Sequence, residues 1–230
     1  VLQTQLAYRR RTTGFSHGYS MFKGGPSSDW LTAFVYKIVS LFPEQVFVPC
    51  HSALDSDRDY LTRLIELKQG YKSRTAVNRD GWAPYQYNYH QNRDLYWQSY
   101  FLISMLESNG VNRCGSTLTD SPYTFDILGK VCNSILELSS RSDDCCYHHM
   151  VAYSVQLCKD HGLLDQMSRL SSSDDEKCMG SSTDGRYKFA SCEENLEFES
   201  FMGSSKSIEA TGYAALFFMQ KERIEDSLPM

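Results

Sequence analysis

Several familiar features are missing from this sequence, and each absence removes a class of function. No run approaches the roughly 20 apolar residues that carry a helix across a bilayer, so no membrane span is expected. Nor does a charged-then-apolar leader open the chain at Val1, which reads as a fragment or processed piece. There is no Asn-x-Ser/Thr sequon and no Cys-x-x-Cys pair of the zinc or redox kind. Charge of one sign is scarce as well: 23 Lys and Arg against 28 Asp and Glu leave a net −5. So mild and dispersed a balance argues against nucleic-acid binding. The only basic cluster, Arg9, Arg10 and Arg11, reads as a solvated turn.

Cysteine, by contrast, is plentiful. Eight in 230 residues is more than a cytosolic domain of this size usually carries, and disulfides in an oxidising, extracellular compartment are the simpler account. The length suits one domain with a sizeable core, expected here over 1–230.

The chain is organised around Ser27 to Phe42. Ser27, Ser28 and Asp29 supply capping oxygens, and Lys37 is the only later charge before Phe42, so the spacing predicts a central helix with no solvent face. Gly24, Gly25 and Pro26 force a turn before it, and Pro43 stops it. Val1 to Tyr8 reads as the end of a helix, and Arg9 to Gly25 as an exposed crossing loop or short hairpin. Val46 to Pro49 reads as extended. A second, amphipathic helix is predicted from about Cys50 to Lys68, with Leu54, Tyr60, Leu61, Leu64 and Ile65 on one face. Tyr71 to Gln91 lacks sustained period and reads as part of a long loop over about 70–91. Further helices are expected over Leu95 to Ser108, Phe125 to Ser139, Cys145 to His161 with a short continuation over Leu163 to Leu170, and Ser207 to about Lys221. The polar stretch Ser171 to Ser205 loops out, with an extended piece near Arg186 to Ala190. Inner apolar helices alternating with outer amphipathic ones make this an all-α chain and suit a double ring of helices, an alpha/alpha toroid, partial in this segment.

Candidate chemistry is sparse. Cys145-Cys146-Tyr147-His148-His149 invites a zinc reading, but adjacent helical residues point about 100° apart and only Cys145 and His149 have the right spacing. Asp55, Asp57 and Asp59 lack the glycine and closing glutamate of a calcium loop and read as a solvated helix face. No metal or other cofactor is expected, and no paired carboxylates or metal-ligand set at inner-helix ends suggest an enzyme. Cys178 and Cys192 bracket the polar loop and could close it. Cys50 and Cys114 apart, Cys132, Cys145, Cys146 and Cys158 are then left to pair among themselves in an order the sequence does not fix.

Gln3 to Tyr8, Phe15 to Phe22, Lys23-Gly24-Gly25 and above all Trp30-Leu31-Thr32-Ala33-Phe34-Val35 resemble a segment of the thioester-containing domain of complement components three, four and five and the alpha-macroglobulins. Leu64 to Gln69, Phe101 to Leu106 and Ile208 to Leu216 follow in the family's order, so the resemblance runs from end to end. It implies the same toroid, here incomplete at both ends. It also implies a reactive thioester between the Cys and Gln of a Cys-Gly-Glu-Gln stretch that this chain lacks and that the family carries upstream. Asp80-Gly81, Pro84 and His90-Gln91 resemble the pattern around the family's thioester-transferring histidine, which makes His90 the candidate catalytic residue. Imidazole is nucleophilic when neutral near pH 7. The alternative is a surface histidine among tyrosines. Cys50 and Cys114 match in position a disulfide of the complement branch.

The function implied is that of a secreted innate-immunity protein segment that attaches to surfaces or binds protein receptors, in company with the other domains of its parent. Alternatives are a catalytically silent interaction domain, a segment of a protease-trapping alpha-macroglobulin, which is an endopeptidase inhibitor, and an enzyme on the same toroid. Were only this segment present, parts of the Trp30 helix would be left exposed.

Overall fold

A computed structural model describes residues 9–11, 17–20, 22, 25, 27–40, 50–67, 90–109, 121–139, 145–165, 178–181, 188–190 and 205–220. Among them are six helices and four short strands. The chain clusters into two compact units, one of Val1–Asn88 with Tyr100–Val131 and one of Tyr89–Ser99 with Cys132–Met230. The expected segments Val1 to Tyr8 and Val46 to Pro49 lie outside the described residues, as does the 70–91 loop apart from its last two positions.

In the first unit, β1 (Arg9–Arg11) pairs antiparallel with β2 (His17–Tyr19), Arg9 opposite Tyr19. The region read as a crossing loop or hairpin is thus a hairpin. It docks through its main chain onto the start of α1 (Asp29–Ser40). The Ser28 amide donates to the Tyr19 carbonyl at 2.7 Å, and the Tyr19 amide donates to the Thr32 hydroxyl at 2.9 Å. Thr32 in turn donates to the Ser28 carbonyl at 2.7 Å, while the Ser28 hydroxyl caps the helix by accepting from the Leu31 amide at 3.3 Å. This approach is close enough that a Cβ on Gly18 would stand 2.9 Å from the Ser27 Cβ. Only glycine fits there.

α1 buries Ala33, Val35, Tyr36 and Val39. It is not apolar-buried on every side, as its composition suggests: Phe34 is 43% and Ile38 38% exposed. Composition fixes the chemistry of a helix surface, while neighbours decide which part is covered. Trp30, between exposed and buried, stacks on Phe34 and on Tyr100 at centroid distances of 5.5 and 6.2 Å.

α2 (Cys50–Leu67) is amphipathic as expected, burying Leu54, Leu61 and Ile65 and exposing Asp59 and Arg63. The Tyr60 hydroxyl reaches back to Asp29 at 2.6 Å, joining α2 to the first residue of α1. α3 (His90–Asn109) contributes its 100–109 part, where Phe101, Leu102, Ile103, Met105 and Leu106 are all buried. Ser40 donates to Ser108 at 2.8 Å and Lys37 pairs with Glu107, so the end of α1 is tied to α3 by both a hydrogen bond and a charge pair. α4 (Pro122–Ser139) is capped by Ser121, whose hydroxyl accepts from the Thr124 amide at 3.4 Å.

The second unit is built on α5 (Cys145–Asp160), buried continuously from His149 to Val155. Leu95 to Ser99 of α3, and Cys132 and Ile135 of α4, are also buried here. α6 (Ser205–Gln220) lies along α5, setting Phe217 and Phe218 against His149 and Tyr213 against Tyr153. α5 ends where Gly162 takes φ 69°: the Gly162 amide bonds to the Lys159 carbonyl and the Leu163 amide to the Cys158 carbonyl. That pair of bonds is a Schellman motif, which stops a helix. Residues 163–165 accordingly are not helical, although the continuation is expected to start there; 166–170 lie outside the described residues.

β3 (Met179–Ser181) and β4 (Lys188–Ala190) pair antiparallel with Met179 opposite Ala190, β4 falling within the expected extended piece. The Thr211 hydroxyl accepts from the Ala190 amide at 2.9 Å and donates to its carbonyl at 3.2 Å, fixing the hairpin to α6.

Thr32→Val keeps the shape of the α1 contact but leaves the buried Tyr19 amide without an acceptor. The variant is expected to lose about 1–3 kcal/mol, seen in urea unfolding as a lower midpoint at unchanged slope, with Thr32→Ser recovering most of the loss.

Candidate functional site

The candidate residues from the sequence are unevenly described. His90 is the first residue of α3, so the helix begins more than a turn before its apolar period and takes in a residue read as loop. Its side chain lies outside the described residues. Cys50 is the first residue of α2 and Cys146 the second of α5, the side chains of both likewise outside, and Cys114 and Cys192 are not described.

The described cysteines are all in disulfides. Cys132 and Cys158 join α4 to α5 with Cα atoms 6.2 Å apart, a pairing within the set expected. Cys178 does not close the polar loop with Cys192. It bonds to Cys145 at a Cα separation of 5.1 Å, because the residue leading into β3 comes up against the first residue of α5. A cystine needs two Cα atoms within about 7 Å, a condition that bracketing a loop in sequence does not supply. Cys145 therefore has no thiolate to offer a metal with His149, and among the described residues no group of three or more His, Cys, Asp or Glu could hold an ion. His149 is 1% exposed, edge-on to His148 at 5.1 Å and against Phe217 and Phe218, a packed aromatic cluster.

The most unusual electrostatics lie at Asp57. Together with Asp55 and Asp59 it reads as part of a solvated face, yet its carboxyl is 1% exposed. The reason is phase: Asp57 follows Leu54 by three residues and precedes Leu61 by four, which puts it on the buried side of α2, while Asp59 points out. Arg9, expected in a solvated turn, is its counter-ion. Arg9 Nε and Nη2 donate to Asp57 Oδ1 at 3.1 and 3.0 Å, and the Tyr19 hydroxyl donates to Oδ2 at 3.1 Å. Beside it, Arg58 pairs with Asp55 at 3.1 Å.

Burial pushes the Asp57 carboxyl up from its ordinary 3.8 to about 7, against the pull of the Arg9 charge and of the Arg9 and Tyr19 hydrogen bonds. The Tyr19 and Tyr36 phenols are likewise raised, chiefly by burial. A carboxylate shut off from solvent in this way cannot meet a dissolved substrate. Its chemistry is to lock β1 and β2 onto α2.

Compared with known proteins, residues 1–229 match a family model described as the A-macroglobulin TED domain. That family's fold is an alpha/alpha toroid, in keeping with the helical character of the described residues. No curated protein matches the chain.

Because Asp57 titrates near 7 when folded and near 3.8 when free, the native state binds the extra proton between those values. Its contribution is full below the lower value and is lost as pH rises through the upper one. Native stability relative to Asp57→Asn is expected to fall between about pH 4 and 7, by up to about 1.4 kcal/mol per pH unit, and to level off above that range. Denaturation of both proteins across that range checks it; a difference that is flat with pH would contradict it.

Proposed function

Because the chain belongs to the A-macroglobulin TED domain family, the thioester-containing domains of complement proteins and alpha-macroglobulins, we propose that residues 1–230 act as one module of a secreted, multidomain, complement-like protein in innate immunity. It works by attachment to target surfaces or binding to protein receptors, without catalytic turnover. The observation that carries this reading is the family match across 1–229. The two cystines of the second unit support an oxidising, extracellular setting. Among the described helices none is long and apolar enough to cross a membrane. Preference for the complement branch over the protease-trapping one rests on Lys23-Gly24-Gly25 and on the positions of Cys50 and Cys114, which we assign as a disulfide.

In this reading His90 is the thioester-transferring residue. A neutral imidazole attacks the thioester carbonyl formed by a Cys and Gln elsewhere in the parent protein, frees the thiolate, and opens a route to hydroxyl acceptors. Its position as the first residue of α3 supports the role, since a backbone tied into a helix is held in one place.

Sequencing the parent transcript upstream of Val1 is the first test. A Cys-Gly-Glu-Gln stretch there is expected; an in-frame domain with that Cys replaced would sink the covalent reading in favour of a silent interaction module. With the motif present, His90→Ala in the whole protein is expected to lower labelling by a biotinylated alcohol on the order of 10²-fold while leaving labelling by a primary amine in place. Equal loss of both labels would remove His90 from the transfer step.

A further inference from the structure

Among the described residues the second unit holds two cystines, which differ in burial. Cys132 and Cys158 are both 0% exposed and join α4 to α5 inside the apolar packing. The bond from Cys145 to Cys178 instead is buried at one end only, Cys178 being 4% exposed. Cys145 is the first residue of α5 and is partly exposed, and Cys178 leads into β3. Among the described residues this bond fastens the β3–β4 hairpin to α5, and the Thr211 hydroxyl at Ala190 fastens it to α6.

We propose that Cys145–Cys178 is a redox-labile latch, opened under native conditions by a small or protein dithiol, that releases the start of β3 from the start of α5 while Cys132–Cys158 stays oxidised. Exchange starts from a thiolate, and its rate follows access and leaving-group acidity. One thiolate of the dithiol attacks the sulfur of Cys145, the partly exposed residue of the pair. The Cys145–Cys178 bond breaks, and its electron pair leaves on the Cys178 sulfur, which takes up a proton. The second thiol of the dithiol, losing its proton, then attacks the dithiol's own sulfur in the mixed disulfide and expels Cys145 as a thiolate. The dithiol ends as a disulfide and the cystine as two reduced cysteines. The second step is favoured by position, because the positive end of the α5 dipole stabilises an anion on its first residue.

Neither advantage belongs to the other bond. Both its sulfurs sit in side chains without solvent access, and Cys158 lies in the last turn of α5, where the helix dipole disfavours a thiolate. The opened hairpin stays attached to α6, since the Thr211 bonds involve no sulfur.

Graded reduction of the full chain with dithiothreitol under native conditions, followed by trapping with N-ethylmaleimide and peptide mapping, tests this directly. Cys145 and Cys178 are expected to become alkylated at about 10-fold lower reductant than Cys132 and Cys158, with the far-ultraviolet circular dichroism unchanged. Simultaneous reduction of both bonds, or loss of helix signal at the first step, overturns the proposal. The Cys145→Ser/Cys178→Ser variant provides a second reading. Retention of the Cys132–Cys158 bond and helix content, with faster proteolytic cleavage between β3 and β4, supports a latch. A variant that fails to fold, or one cleaved no faster than the parent, refutes it.

Discussion

A carboxylate shut away from water is tolerated only with a counter-charge and hydrogen bonds at hand, and this requirement draws together the first unit around Asp57. Its partners come from well upstream in the chain: Arg9 from one strand of the first hairpin and Tyr19 from the other. Tyr19 is also the residue whose amide and carbonyl are bound at the start of α1. One side chain on α2 and one residue of β2 thus set the mutual positions of two helices and a hairpin. The Tyr60 to Asp29 bond closes the same triangle from the other side. Asp57 holds its neighbours in a definite arrangement at an energetic cost visible in its own raised proton affinity.

The second unit meets the same need by other means. α5 is pinned near each end by a cystine, through Cys145 at its first residue and Cys158 in its last turn, and the Gly162 Schellman turn stops it directly after the second. Between those pins its buried surface is mainly apolar and aromatic, and α6 fits against it with Ala210 and Ala214 buried and Phe217 and Phe218 reaching in. A polar lock serves one unit and covalent pins the other, although helices run through both.

Helices were the most legible part of the sequence because their signals are local. The Gly-Gly-Pro before α1, its serine cap and the apolar spacing of α2 are each contained within a few residues. α3 starts earlier than expected because its first turn, His90 to Asp94, is polar, and a polar turn carries no apolar period to detect. Gly162 is a readable stop signal in the sequence, and glycine's place at helix ends accounts for the non-helical residues 163–165. Asp57 was misread for a different reason. The alternating acids looked like a solvated face, and only their phase against Leu54 and Leu61 separates the inward one from its neighbours. Arg9 was misread together with it, since an ion pair spanning 48 residues leaves no local trace. Disulfide connectivity is non-local in the same way, which is why Cys178 was matched to the nearest convenient partner. The family was more legible than the site, because Trp30 to Val35 is a continuous string while a site is assembled from distant positions.

The contact at Gly18 carries a historical consequence. With the Ser27 side chain and the Thr32 hydroxyl so close to where a Cβ would stand, position 18 cannot acquire a side chain while the hairpin rests on α1. Any lineage that keeps Tyr19 seated on Thr32 must therefore keep glycine just before it, and a lineage that loses the glycine must already have loosened the seat. The two positions drift together or not at all, so the pair serves as a fingerprint for recognising distant descendants of this hairpin after most of the surrounding sequence has changed.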